Sequence, residues 1–383
     1  MTVSSRFALF YGLYFALLGC IAPYWGLYLQ HLQFSSEDIG WLMAVFSLIR
    51  ILAPDFWASQ AHRFHSSQRM LRYVGVLTLL FFSAVFWADG VWKMAVVMVL
   101  YGFFWAAMLP QYEALCMQSL NNDLNRYSRL RLWGSIGFIA SVVALGGLIQ
   151  NTSVAALPAV MWVLIAWITY NGWTMGERSL EPRPDNQNPA IWPHILKRTT
   201  LGFLLATVLL QISFGPYYTF FSIYLEQQGY SSWMTGLLWA VGVFAEVLLF
   251  WQFGRIMHLM SWRSWMVASL LITAIRWCLT GYAVHSLWWL VALQTLHAFS
   301  FAALHAVSMQ YIHQLFPSHL RGRGQAWYSG IGFGLGGAIG AYVSGQYWEE
   351  LGGALVFTGA GIVALLAVPL VWVCLSEKKI VAE

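Results

Sequence analysis

Residues 28–50, "YLQHLQFSSEDIGWLMAVFSLIR", return 196 positions later as residues 224–246, "YLEQQGYSSWMTGLLWAVGVFAE". Tyr28-Leu29 matches Tyr224-Leu225, the turn Phe34-Ser35-Ser36 matches Tyr230-Ser231-Ser232, and Gly40 matches Gly236. Each copy reads as the end of one apolar helix, a short polar turn and the start of the next helix. At the last position Arg50 stands against Glu246. A second echo repeats at a spacing of 195: "RLRLWGSIGF" from Arg129 and "RGRGQAWYSGIGF" from Arg321, with Ile136-Gly137-Phe138 on Ile331-Gly332-Phe333. The chain is therefore read as a duplication.

Composition fixes the class. Of 383 residues 59% are hydrophobic and 9% charged, and mean hydropathy is +0.62, against about 25% charge in an ordinary soluble domain. Apolar segments of about 20 residues, enough to cross a bilayer, recur along the chain. We read twelve between residues 7 and 375, as an all-α membrane protein of two pseudo-symmetric six-helix bundles. Residues 1–175 are expected to form the first bundle and 201–383 the second. Between them, 176–200 is a polar linker broken by Pro182, Pro184, Pro189 and Pro193. The first apolar stretch has spanning length and no small-residue cleavage site, so it is expected to remain as a helix.

The net charge of +5 is distributed as topology rather than as a nucleic-acid footprint. With alternating helices, Arg63, Arg69, Arg72, Arg126, Arg129, Arg178, Arg183, Lys197, Arg263, Arg321, Lys378 and Lys379 share one side, and Lys93 is left on the other. That asymmetry places both termini and the linker in the cytoplasm, in a cell inner (plasma) membrane. Cys20, Cys116, Cys278 and Cys374 lie within spans without CxxC spacing, and His297 and His305 are eight residues apart, so no metal or cofactor is expected.

Charge inside the spans is the first signal of function. An Arg or Asp at a helix centre costs about 2.5 to 3.5 kcal/mol, so Arg50, Glu246 and Arg276 together cost about 8 to 10 if unpaired. They must be paired, hydrated or facing a cavity. An ion pair that only fixes packing is the structural alternative. Glu246, an acid in mid-span, is the candidate proton site, with His297 as relay or hydrogen-bond partner. Asp55, following Pro54 near the end of the second span, is read as loop-hydrated or as a latch to Arg63. Tyr24 and Tyr28 on the first helix, with Tyr217 and Tyr218 on the seventh, offer hydroxyls and ring faces to a ligand. Interface belts and packing compete for that role, since the chain has 22 tryptophans and 18 tyrosines.

Twelve helices in two homologous halves with a basic loop after the second helix resemble the major facilitator superfamily. Its loop pattern is partly kept in "ASQAHRFHSSQR": Ala61, Arg63 and Phe64 fit, whereas His62 and His65 replace an aspartate and a glycine. Pro110-Gln111-Tyr112-Glu113, then Arg129-Leu130-Arg131, resemble the helix 4 glutamate and helix 5 arginine of the lactose permease family, and Arg276 and His297 its helix 9 arginine and helix 10 histidine. That likeness implies substrate-binding roles for Glu113, Arg131 and Arg276. Gln294 stands where that family has a lysine and Ser300 where it has the proton-carrying glutamate. A nearer likeness is to the phenylpropionate permease branch, at Arg50, "AEVLLF" around Glu246, Arg276-Trp277, Tyr217-Tyr218 and the His297–His305 spacing. It implies an aromatic carboxylic acid as substrate.

The expectation is a secondary transporter, no enzyme, taking up a small organic acid with a proton by alternating access and working as a monomer in the lipid bilayer. Arg276, Arg50 and Arg131 outnumber Glu246 and Glu113, which favours an anion, and arginine grips a carboxylate through two parallel hydrogen bonds. Alternatives are a proton symporter for a sugar or nucleoside, a drug-efflux antiporter, and a sensor that binds without transporting. The spans contain no HExxH, GxSxG or phosphate-loop pattern.

Overall fold

The computed structural model describes residues 3–60, 63–64, 66–121, 123–175, 190–375 and 377. Expectations for Ala61, His62, His65, Arg178, Arg183, Lys378, Lys379 and most of the linker lie outside these residues. The regular elements are helical: α1 (Val3–His31), α2 (Ser36–Gln60), α3 (Ser67–Trp87), α4 (Val91–Ser119), α5 (Asn125–Asn151), α6 (Val154–Thr174), α7 (Arg198–Gln227), α8 (Ser232–Leu259), α9 (Trp262–Tyr282) and α10 (Leu287–Leu315). The last apolar stretch, Ser318–Cys374, runs on without a loop. It breaks at Gly352, whose φ of 76° only glycine adopts without strain. This divides it into α11 (318–351) and α12 (353–374), so two of the expected spans are joined by a single residue. Every span is long and apolar enough to cross a bilayer, and the chain is a multi-pass membrane protein.

Several helices are interrupted where the sequence removes or widens a backbone hydrogen bond. Pro110 lacks the N–H that would bond Ala106, and α4 turns at Ala106–Ala107 before Glu113. Pro216 likewise follows a turn at Phe214 in α7, after which Tyr217 and Tyr218 emerge. In α10 and α11 the ladder widens into π turns at Ala298–Ala303 and Gly330–Gly336. Such turns recur at functional sites because they redirect side chains within a continuous helix.

The chain forms two compact units. One is built on α1–α6 with Tyr230–Ala240, the front of α8; the other holds α7, the rest of α8 and α9–α12. In lipid, helices associate by close packing, which small residues permit. In the first unit α1 lies along α5, and a Cβ on Gly137 would collide with the backbone of Gly12. In the second, a Cβ on Gly332 would meet Thr207 Cγ2 at 2.7 Å. Gly137 and Gly332 occupy equivalent places in the second echo, and Gly12 and Thr207 are separated by the same 195 residues. The repeat thus preserves a contact between the first and fifth helices of each half. The Tyr24 hydroxyl donates to Val142 O at 2.7 Å and Ser232 O at 3.3 Å, between Gly146 and Gly236, and this ties the front of α8 to α1 and α5.

Candidate functional site

Arg276 of α9 is completely buried in the second unit. Its Nε donates to Leu293 O at 3.0 Å, Nη2 to Gln294 Oε1 at 3.2 Å, and Nη1 lies 3.0 Å from His297 Nδ1. These three acceptors lie on α10 just before its π turn, at positions i, i+1 and i+4, which share one side of a helix. Tyr217 and Trp277 cover the guanidinium, with ring centroids 4.6 and 4.3 Å from its carbon. Rings on a desolvated guanidinium add cation–π attraction of about 2 kcal/mol. Trp277 is itself held by a hydrogen bond from Nε1 to Ser213 Oγ, and the Tyr217 hydroxyl donates to Gln294 Oε1 at 3.0 Å. Both lone pairs of that amide oxygen are therefore engaged, which fixes the Gln294 flip.

The chain of contacts continues to α8. His297 Nε2 lies 2.6 Å from Glu246 Oε1, and the Glu246 side chain is 15% exposed. A guanidinium can only donate, so Nδ1 of His297 must accept and the ring proton resides on Nε2, which donates to the carboxylate. The tautomer follows from Arg276. With one cation, one anion and a neutral ring, the buried group is balanced, as burial in an apolar medium requires. Gly242 of α8 allows this approach: a Cβ there would stand 3.3 Å from Gln294 Oε1 and 3.5 Å from His297 Cδ2.

The first unit gathers a second polar group. Arg131 Nε of α5 lies 3.7 Å from Glu113 Oε1 of α4, and the Tyr127 hydroxyl donates to the same oxygen at 3.1 Å. The Arg131 guanidinium rests 4.4 Å from the Phe15 ring and 5.6 Å from Tyr11, both on α1. Arg50 of α2 is exposed and makes no hydrogen bond or ion pair with the described residues. The buried Tyr14 lies within electrostatic range of Arg50, Glu113 and Arg131.

The structure thus joins Glu246, His297, Arg276 and Tyr217 in one group and Glu113 with Arg131 in another. Tyr218 packs beside them, its ring centroid 5.3 Å from that of Tyr217. Tyr24 is engaged with backbone carbonyls, and Tyr28 packs on Trp25 at 5.3 Å. Asp55 and Arg63 are both exposed, and no hydrogen bond or ion pair joins these two described residues. Gln294 enters the site without having been expected there: in sequence it is marked only as a replacement for a lysine, and nothing in spacing aligns its oxygen with two donors. Tyr11, Tyr14 and Tyr127 come in by lateral packing alone. No group of three or more metal-ligating side chains occurs among the described residues.

The model of the MFS_1 like family matches residues 5–358. A protein named "Probable 3-phenylpropionic acid transporter" from Escherichia coli (strain K12) is 28% identical, covering 94% of this chain and 94% of its own. "Maltose permease" of Geobacillus stearothermophilus is 26% identical, covering 94% and 93%. Among solved structures, that of the nucleoside transporter NupG superposes with a TM-score of 0.88 over 99% of this chain and 100% of that one, at 15% identity, which speaks to fold. The chain belongs to the MFS_1 like family: it is a secondary transporter of the major facilitator superfamily, not an enzyme, and it resembles the phenylpropionate permease branch.

Proposed function

We propose that the protein takes up a small aromatic carboxylic acid together with a proton, by alternating access. The observation that carries this reading is the unbroken chain Arg276–His297–Glu246. While Arg276 occupies Nδ1, the ring has no free nitrogen, so an added proton goes to the second carboxylate oxygen of Glu246. A substrate carboxylate that recruits Arg276 must displace His297 or Gln294 from it. Nδ1 is then released, and substrate arrival changes where a proton can reside. Within the first unit, Arg50 and Arg131 likewise favour an anion over a neutral ligand. The likeness to the phenylpropionic acid transporter supports the aromatic class.

Proteoliposomes test it directly. A pH gradient is expected to drive accumulation of 3-phenylpropionate and not of its neutral amide, while a disaccharide is not bound. The likenesses to a maltose permease and to NupG favour a sugar or nucleoside as the second reading. Tighter binding of the disaccharide or the amide promotes it.

We further propose that the termini and the linker are cytoplasmic in the inner membrane and that the protein acts as a monomer. Single cysteines at His31, Lys93 and His285 are expected to react with an impermeant maleimide on intact cells, and cysteines at Arg63 and Lys197 are not. Labelling at Lys197 contradicts the orientation.

A further inference from the structure

The first unit contains a charge and a set of buried donors that the Arg276 chain leaves unexplained. Arg50 lies ten residues before the end of α2 at Gln60, about 15 Å along the axis. At helical spacing it shares a stripe with Phe46, Ala53 and Trp57. Ala53 and Trp57 are buried, and Trp57 Nε1 donates to Phe103 O of α4 at 2.8 Å, so this stripe packs on α4 rather than on lipid. The exposed apolar stripe of α2 is the opposite one, with Leu48, Leu52 and Phe56. An exposed arginine on the packed face, without a hydrogen-bond or ion-pair partner among the described residues, points at a ligand rather than at packing.

Beside it stands an aromatic slab. Phe46, one turn before Arg50, stacks nearly parallel with Tyr101 at 5.9 Å and 6°, and with Trp105 at 6.4 Å and 13°. Tyr101 and Trp105 stack on each other at 5.6 Å and 12°, and Trp105 on Tyr14 at 5.1 Å. Gly102 makes room, because a Cβ there would come within 2.8 Å of the Phe46 ring. The Tyr101 hydroxyl and Trp105 Nε1 are buried donors without an acceptor among the described residues. Buried polar groups are normally satisfied, so two orphans on adjacent stacked rings call for a partner.

We propose that Arg50 and the rings of Phe46, Tyr101 and Trp105 form a subsite in the first unit for an arylcarboxylate, separate from the Arg276 group of the second unit, with Arg50 taking the carboxylate and the slab the aryl ring. This deepens the organic-acid reading and rests on it. It moves ring recognition away from Tyr24, whose hydroxyl is engaged with Val142 O and Ser232 O.

The test measures binding to the purified full chain in lipid nanodiscs with 3-phenylpropionate, 3-cyclohexylpropionate and 3-phenylpropionamide. The native protein is expected to prefer the phenyl to the cyclohexyl acid about three- to tenfold, the scale of an aromatic contact. It is expected to prefer the acid to the amide at least about tenfold, the scale of a charge-assisted pair. Phe46→Leu brings the ring ratio to about one and keeps the charge ratio. Arg50→Gln does the reverse. If Phe46→Leu fails to fold by size exclusion, Trp105→Leu replaces it, and Arg50→Met replaces Arg50→Gln on the same ground. Both ratios present in the native protein and unchanged in the variants overturn the subsite while the organic-acid reading stands. Loss of only one ratio overturns the two-part site, and a native preference for the amide overturns the organic-acid reading and the subsite with it.

Discussion

Glu246→Gln is expected to abolish accumulation of substrate against a gradient while exchange of labelled for unlabelled substrate continues. Glutamine keeps a carbonyl oxygen for the His297 Nε2–H, which lies 2.6 Å from Glu246 Oε1, so the local packing survives. What it removes is the oxygen that can take and release a proton. The side chain is then held in the equivalent of the protonated state, and a pH step no longer biases the transport cycle. Proteoliposomes measure the two activities separately. Gradient-driven accumulation at the native level in this variant would falsify the role given to Glu246 and send the search for the proton site to Glu113.

Arg276→Lys is expected to reduce uptake by about a hundredfold or more although the charge is kept. The guanidinium serves Leu293 O, Gln294 and His297 at once, from a planar fork against which Tyr217 and Trp277 pack. An ammonium on a single stem cannot reproduce that geometry. Hydrogen bonds to a charged group contribute about 1.5 to 3 kcal/mol each, so losing two costs about 3 to 6. The pH profile of exchange separates a role in proton handling from one in packing. With its donor displaced, Nδ1 of His297 becomes available to protons, and the profile changes shape. A uniform reduction of rate at every pH, with the profile of the native protein, would show that Arg276 only holds the helices together.

Both expectations depend on a group drawn from three helices. Glu246 is on α8, Arg276 on α9, and Gln294 and His297 on α10. The sequence singles out three of the four because charge and imidazole are conspicuous in apolar spans, where burying them is costly. It does not reveal Gln294, whose two accepted hydrogen bonds depend on how α7 and α9 approach α10. The slab of Phe46, Tyr101 and Trp105 is hidden for a similar reason. In a chain with 22 tryptophans and 25 phenylalanines, stacking geometry is invisible to composition.

What the sequence by itself determined is the membrane class, the helical architecture in two repeated halves and the positions of the charges within the spans. These follow from segment length, from hydropathy and from a repeat that survives in Gly137 and Gly332, where close helix contact excludes larger side chains. Only the tertiary structure decided which faces meet. Spans apolar on nearly all sides carry little periodicity to orient them, unlike a helix on a soluble core. Their rotation is set by glycine contacts and buried hydrogen bonds, and their local course by interruptions such as the π turn at Ala298–Ala303 and the break at Gly352. Arg276, His297 and Glu246 become one connected group only after that lateral packing is complete.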